Sequence, residues 1–259
     1  MFTRVGVVCG MLFAMVLGTG CQLVRVEGNG VEGSVTKEIG VVREIEVSGG
    51  SFNTVDVYVC DCSKVVVTGD DNLLPYVNAD QDGESLYIDT DEWLAPDLPL
   101  VMEIYTPYVD DIHVSGSSNL RVIDLTGGSL HVSTSGSSDV KLRGKLDDLV
   151  VETSGSSDID IVELDAGALH LFASGSSDME LVGEVDVLEI ETSGSSDIRA
   201  AELVAYEASV TTTGSSDVDV CVTERLDVSV SGSGDVNYYC GTKHVSKSVS
   251  GSGDVRRRD

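Results

Sequence analysis

Leu149-Val150-Val151-Glu152-Thr153-Ser154-Gly155-Ser156-Ser157-Asp158-Ile159-Asp160-Ile161 places apolar or small residues at every second position on both sides of one Ser-Gly step. Side chains that alternate with period two belong to strands that bury a single face. The stretch therefore reads as two strands joined at a corner, and the corner recurs. Gly-Ser-Ser/Gly-Asp/Asn stands at Gly116, Gly136, Gly155, Gly175, Gly194, Gly214, Gly232 and Gly251, spaced by 20, 19, 20, 19, 20, 18 and 19 residues. So short a period, with almost no helix-like pattern, is one solenoid coil per repeat.

Columns aligned on the corner glycine give the direction of each side chain. Six residues before it stand Leu130, Leu149, Leu169, Leu188, Ala208, Leu226 and Val245; four before it, Ile112, Val132, Val151, Leu171, Ile190, Val210 and Val228, broken by Lys247 in the last coil. Two before it the residues are small or β-branched, from Val114 through Thr153 to Val249, and four after it runs Leu120, Val140, Ile159, Met179, Ile198, Val218, Val236 and Val255. These columns face inward. The positions between them, such as Ser133, Glu152 and Thr211, face outward. A hairpin meander would not keep equivalent residues at a constant period in parallel sense. The expected fold is all-β, a parallel β-helix of about 19–20 residues per coil over residues 111–259, about 4.8 Å per coil and right-handed by the chirality of strand crossovers. It ends at Arg257, which enters an inward column otherwise filled by residues such as Leu142 and Ile161, and Arg256-Arg257-Arg258 would blunt the open edge.

Upstream, residues 35–110 carry strand-like runs with longer, irregular turns, expected to be atypical first coils or a β cap. The Gly-rich residues 21–34 read as a flexible tether. Before them, Arg4 precedes an uncharged apolar run from Val5 to Leu17 that stops at Gly20-Cys21. That is a cleavable secretory signal over residues 1–20, and Gly20-Cys21 is similar to the end of a bacterial lipobox, although Gly18 stands where that pattern prefers Leu. The resemblance implies acylation of Cys21 and a chain anchored to a membrane without spanning it. Gln22, a residue other than Asp, implies outer-membrane sorting in the cell envelope.

Charge narrows the partners. The chain has 16 Lys and Arg against 44 Asp and Glu, a formal charge of −28, and losing the signal removes one basic residue more. Such a field repels nucleic acid and anionic headgroups and favours cations, basic partners or plain solubility.

Asp71-Asn72-Leu73-Leu74-Pro75-Tyr76-Val77, Leu86-Tyr87-Ile88 and the repeats ending in Ser250-Gly251-Ser252-Gly253-Asp254-Val255 resemble the GIN domain, a family labelled as an auto-transporter adhesin head. Over residues 40–257 the resemblance implies a β-helical, extracytoplasmic protein. It brings no catalytic residues.

Two constellations invite chemistry. The column Asp139, Asp158, Asp178, Asp197, Asp217, Asp235 and Asp254, headed by Asn119, stacks like charges about 5 Å apart, where repulsion approaches 1 kcal/mol even in water. Either these carboxylates accept corner N–H bonds together with their Ser neighbours, or they hold a divalent cation such as calcium. Catalysis has less behind it: Ser-Asp pairs arise from the repeat itself, and His131 and His170 share an outward column but are separated by Val150. No cofactor is implied. A carbohydrate-active enzyme with acidic groups on one face remains the alternative to a non-enzymatic adhesin-like or scaffold module facing a protein or polysaccharide partner. Of the six cysteines, Cys221 and Cys240 share a column in neighbouring coils at disulfide range. Cys60 and Cys62 are a second possible pair, with metal binding or free thiols open.

Overall fold

A computed structural model of the chain describes residues 25–49 and 52–258. The signal run and Cys21 lie outside the described residues. The chain forms a β-solenoid of about seven turns. One parallel sheet precedes the corner and one follows it, and the same long strands supply both, as in Val140–Gly155, Ile159–Gly175 and Asp178–Gly194. Pairing follows the columns residue for residue: Leu149 pairs with Leu130 and Leu169, Val151 with Val132 and Leu171, Gly155 with Gly136 and Gly175. The inward columns form one continuous core in which Leu149, Val151, Ile159, Ile161, Leu169 and Leu171 are fully buried. Burying each such side chain contributes about 1.5–3 kcal/mol.

The alternation of 19- and 20-residue coils has a local cause. At a bend after each corner the register slips, between Val122 and Leu125 against the following coil and between Arg143 and Lys145 in the next. The 20-residue coils carry one extra residue there, a β-bulge. The left-handed backbone falls on Asp124 (φ 61°) and Glu163 (φ 51°) in the longer coils and on Gly144 and Gly183 in the shorter ones. At the corner itself only glycine fits. Gly194 has φ +152°, and a Cβ there would lie 2.2 Å from the carbonyl oxygen of Gly175.

The N-terminal third differs from a simple run of imperfect coils. Glu44–Gly49 pairs in parallel register with Asp111–Gly116, bringing Gly49 opposite Gly116, and Thr54–Val59 pairs with Leu120–Thr126. This is a true first coil, separated from the next by an insertion. The insertion first adds Ser85–Thr90 and Val101–Thr106, parallel to Glu44–Gly49 and Thr54–Val59. Antiparallel strands then cap each sheet: Val77–Asp82 against Ser85–Thr90, Lys64–Asp70 against Val101–Thr106, and Glu32–Glu38, from before the first coil, against Lys64–Asp70. Lys37 bridges the two edge strands, its Nζ donating to the Ala79 carbonyl and lying 3.2 Å from Asp80. The tether expected over residues 21–34 is corrected in part. Arg25–Glu27 pairs with Trp93–Ala95, and Glu32–Glu38 is the outermost cap strand, because unpaired edge groups of the inserted strands find backbone partners in it. Asp70 fastens this region. Fully buried, it accepts from the backbone N–H groups of Gly30, Asp97 and Leu98 at 2.6, 2.9 and 3.0 Å. These bonds, Leu98's foremost, hold its carboxyl below the usual range although burial opposes them.

At the other end, Val255–Arg257 pairs with Val236–Tyr239. Arg256 Nη1 lies 2.7 Å from Asp235 and its Nη2 donates to Asp254, and Arg258 Nε donates to Asn237 Oδ1 at 2.9 Å. Lys247, the break in the inward column, folds over the last coil and donates to the Val255 carbonyl at 3.3 Å.

Candidate functional site: the corner ladder and the pre-corner face

The corner has an inner and an outer rank of polar residues. Ser118, Ser138, Ser157, Ser177, Ser196 and Ser216, each two residues past the glycine, are completely buried. Their hydroxyls link the coils. Ser157 Oγ accepts the N–H of Ser138 at 3.3 Å, Ser177 Oγ that of Ser157 at 3.3 Å, Ser196 Oγ that of Ser177 at 3.2 Å and Ser216 Oγ that of Ser196 at 3.1 Å. Thr134 and Thr153, from the small inward column, meet the same hydroxyls at 3.4 and 3.1 Å. One residue further on, Asp139, Asp158, Asp178 and Asp217 are exposed, and Asp197 and Asp235 are half-exposed.

The aspartates therefore play a smaller part in the corner than their position suggests. Only in the last coils, where Gly234 and Gly253 replace the buried serine, do their side chains join the ladder: Asp217 Oδ1 accepts the N–H of Asp235 and Asp235 Oδ1 that of Asp254, both at 2.8 Å. Serine cannot occupy those positions, since a Cβ on Gly234 would fall 2.0 Å from the Ser216 carbonyl oxygen. Arginines temper the column's charge, Arg256 beside Asp235 and Asp254 and Arg199 3.7 Å from Asp197. Among the described residues no three His, Cys, Asp or Glu side chains converge to hold a metal ion, so the geometry lends no support to a calcium ladder. Sequence reasoning named the serines as partners of the aspartates but did not separate a buried serine rank from an exposed aspartate one. The one signal of that separation was the Ser-to-Gly change two residues past the glycine in the last two repeats.

The histidines lie on the outer face of the pre-corner sheet. His131 and His170 flank Val150 in register. His131 Nδ1 is 2.9 Å from Asp111 and its Nε2 3.7 Å from Glu152, while His170 Nδ1 is 2.7 Å from Glu189 and its Nε2 3.5 Å from Asp148. His113 Nδ1 meets Ser133 Oγ at 2.5 Å, with Glu44 3.9 Å from Nε2. That order imitates a nucleophile, base and orienting acid. The last gap is too long for a hydrogen bond, however, and the strand bearing Ser133 is paired on both sides, which leaves no backbone N–H pair beside Ser133 to receive an oxyanion.

Beside these histidines a shallow groove of about 440 Å³ runs along the same face. Two outward columns line it. One is hydroxylic, from Ser115 through Ser154 to Thr213; the other contains Glu46, His113, Ser133, Glu152, Phe172 and Glu191.

On the post-corner sheet the outward residues are charged and paired. Arg121 binds Asp56 through two bonds of 2.6 and 2.5 Å, and Lys141 lies 3.6 Å from Asp160. Tyr58 and Tyr105 stack with ring centroids 5.0 Å apart, and burial, assisted by nearby carboxylates, raises both phenol pKa values. Cys221 is joined to Cys240 with Cα atoms 5.2 Å apart, and Cys60 to Cys62 at 5.3 Å. The first bond ties two coils together and the second closes a turn in the cap.

A family model described as "Putative auto-transporter adhesin, head GIN domain" matches residues 43–161 and again 143–242. The chain belongs to the GIN-domain family. The overlapping matches span the first coil, its insertion and most of the regular repeats. Two solved structures from Parabacteroides distasonis are similar to this GIN-domain chain, each with a TM-score of 0.82 and each covering 91% of this chain and 100% of its own. One, described as a putative lipid binding protein, is 22% identical; the other, a putative adhesin, is 25% identical. A putative adhesin from Parabacteroides merdae, 19% identical, matches with a TM-score of 0.75 over 91% of this chain and 99% of its own. A comparison with curated proteins finds no match.

Proposed function

We propose that this GIN-domain protein is a non-enzymatic, adhesin-like binding module of the bacterial cell envelope, held at the outer membrane by an acylated Cys21. The pre-corner face carries the reading. Its strands pair in register from Glu44–Gly49 to His244–Gly251, which makes a rigid outward array of small polar side chains with a groove at its centre. A surface built in this way suits display and contact better than turnover, which needs converging reactive groups in an enclosed site. The adhesin names in the family and among the similar structures agree with it. The apolar run ahead of Cys21 supports the anchor, and among the described residues no helix is long and apolar enough to cross a membrane.

The test displays the full chain on a non-adherent bacterium and scores attachment to glycan- and protein-coated surfaces, beside a Cys21→Ala strain labelled with palmitate. Attachment above the host background, with lipid label and surface display both lost in Cys21→Ala, is the expected result. No attachment removes the adhesin reading, and an unlabelled wild type removes the anchor.

A further inference from the structure

We infer that the groove on the pre-corner face binds a glycan chain bearing free hydroxyl or amino groups and no acidic groups, an inference that rests on the adhesin reading and gives it a ligand class. The centre of the groove is Phe172, which pairs in register with Glu152 on one side and Glu191 on the other. Phe172 is half-buried on the outer face, between two exposed carboxylates. Alongside runs the hydroxyl column of Ser154, Ser174 and Ser193, all exposed. Ser174 Oγ donates its proton inward to the Thr153 carbonyl at 3.4 Å, which leaves oxygen lone pairs facing the groove.

The chemistry of this face is one-sided. Its carboxylates accept hydrogen bonds only, and Ser115, Ser174 and Thr213 spend their protons on carbonyls of the preceding coil, so a complementary ligand is rich in donors. The surrounding negative field adds a preference for positive charge and excludes sulfate or carboxylate groups. In the middle of these acceptors lies the phenyl ring of Phe172, suited to the C–H face of a sugar ring whose hydroxyls reach the flanking glutamates. A folded protein partner fits less well. Protein interfaces concentrate energy in a desolvated core of several aromatic or Arg anchors, and this groove has one Phe and no Tyr, Trp or Arg. Its volume of about 440 Å³ lies within the range of small-ligand sites.

The experiment is calorimetric titration of the purified full chain with four probes: a β-linked glucosamine hexamer, its N-acetylated counterpart, polygalacturonate and hexalysine. Both neutral and amino hexamers should bind, the amino form more tightly and with the steeper salt dependence, and polygalacturonate should not. Phe172→Ala should weaken both hexamers by roughly tenfold, the loss of one stacked ring, without lowering the melting temperature, because the ring is not part of the core. Glu152→Gln with Glu191→Gln should remove the amino preference, and Glu180→Gln, on the other sheet, should change nothing. Hexamer binding indifferent to Phe172→Ala, tighter binding of polygalacturonate, or binding of hexalysine alone overturns the proposal. If attachment in the display assay survives while no hexamer binds, this groove is wrong and the adhesin reading stands; loss of both removes both.

Discussion

Two kinds of corner hold this solenoid together. From Gly136 to Gly214 the coils are joined inside, by buried serine hydroxyls that accept the N–H of the preceding coil. From Gly232 to Gly251 they are joined outside, by half-exposed or exposed aspartates that accept the N–H of the following one. The backbone path is the same, with corner φ values of +126° to +152° in both regions. The difference lies in one Cβ. Where the neighbouring carbonyl leaves room, a serine fits inside and the aspartate beside it stays free; where Gly234 and Gly253 close that room, the aspartate takes over. A repeat can thus keep its geometry while it exchanges a neutral, buried acceptor for a charged, solvated one.

Substitutions can break each half of this comparison. The largest effect is expected at the step common to both, since Gly194→Ala forces a Cβ against the Gly175 carbonyl with φ in the left-handed half of the map. Its cost should be about 3 kcal/mol or more in chemical denaturation. Next comes Ser177→Ala, which strands the buried N–H of Ser157 and the hydroxyl of Thr153, at about 1–3 kcal/mol. In the last coils the sensitive residue should be the aspartate. Asp235→Ala loses an acceptor for Asp254 N–H and a partner of Arg256 and should cost about 1 kcal/mol, whereas Asp235→Asn keeps the acceptor and should cost less.

The smallest effect is local and depends on pH. Because Asp70 has a carboxyl pKa below its ordinary value, which is about 3.9, the stability it contributes is complete above that ordinary value. It is lost as pH falls through the depressed one. Trp93, the single tryptophan and exposed beside the strand that Asp70 supports, should report loosening of the cap on acidification, before the regular coils unfold. Asp70→Asn should loosen the cap at neutral pH and flatten that response. Emission with the same acid dependence in both proteins would contradict the assignment.

The regular coils were legible because inward residues recur at a constant period with two-residue alternation, so Leu149 and Val151 declared their direction without any structure. The corner was not, because Ser157 and Asp158 are both short polar residues able to bond a turn, and only depth distinguishes them. The first coil was read only as an atypical coil or cap although Ile45-Glu46-Val47-Ser48-Gly49 repeats the pattern of Ile112-His113-Val114-Ser115-Gly116, since the inserted cap breaks the period between them. The groove was foreshadowed only as an outward column. That Glu152, Phe172 and Glu191 succeed one another along it depends on coil register, which the spacing supplies but composition hides.

Thermal unfolding of Ser177→Ala and Asp178→Ala, side by side in one buffer, tests the inner ladder most directly. The two residues are adjacent, and both are polar. The serine ladder predicts a clear fall in melting temperature for Ser177→Ala and a change within about 0.5 kcal/mol for the exposed Asp178→Ala. A larger loss in Asp178→Ala, with Ser177→Ala near wild type, would place the corner's bonding in the aspartate column and contradict the account.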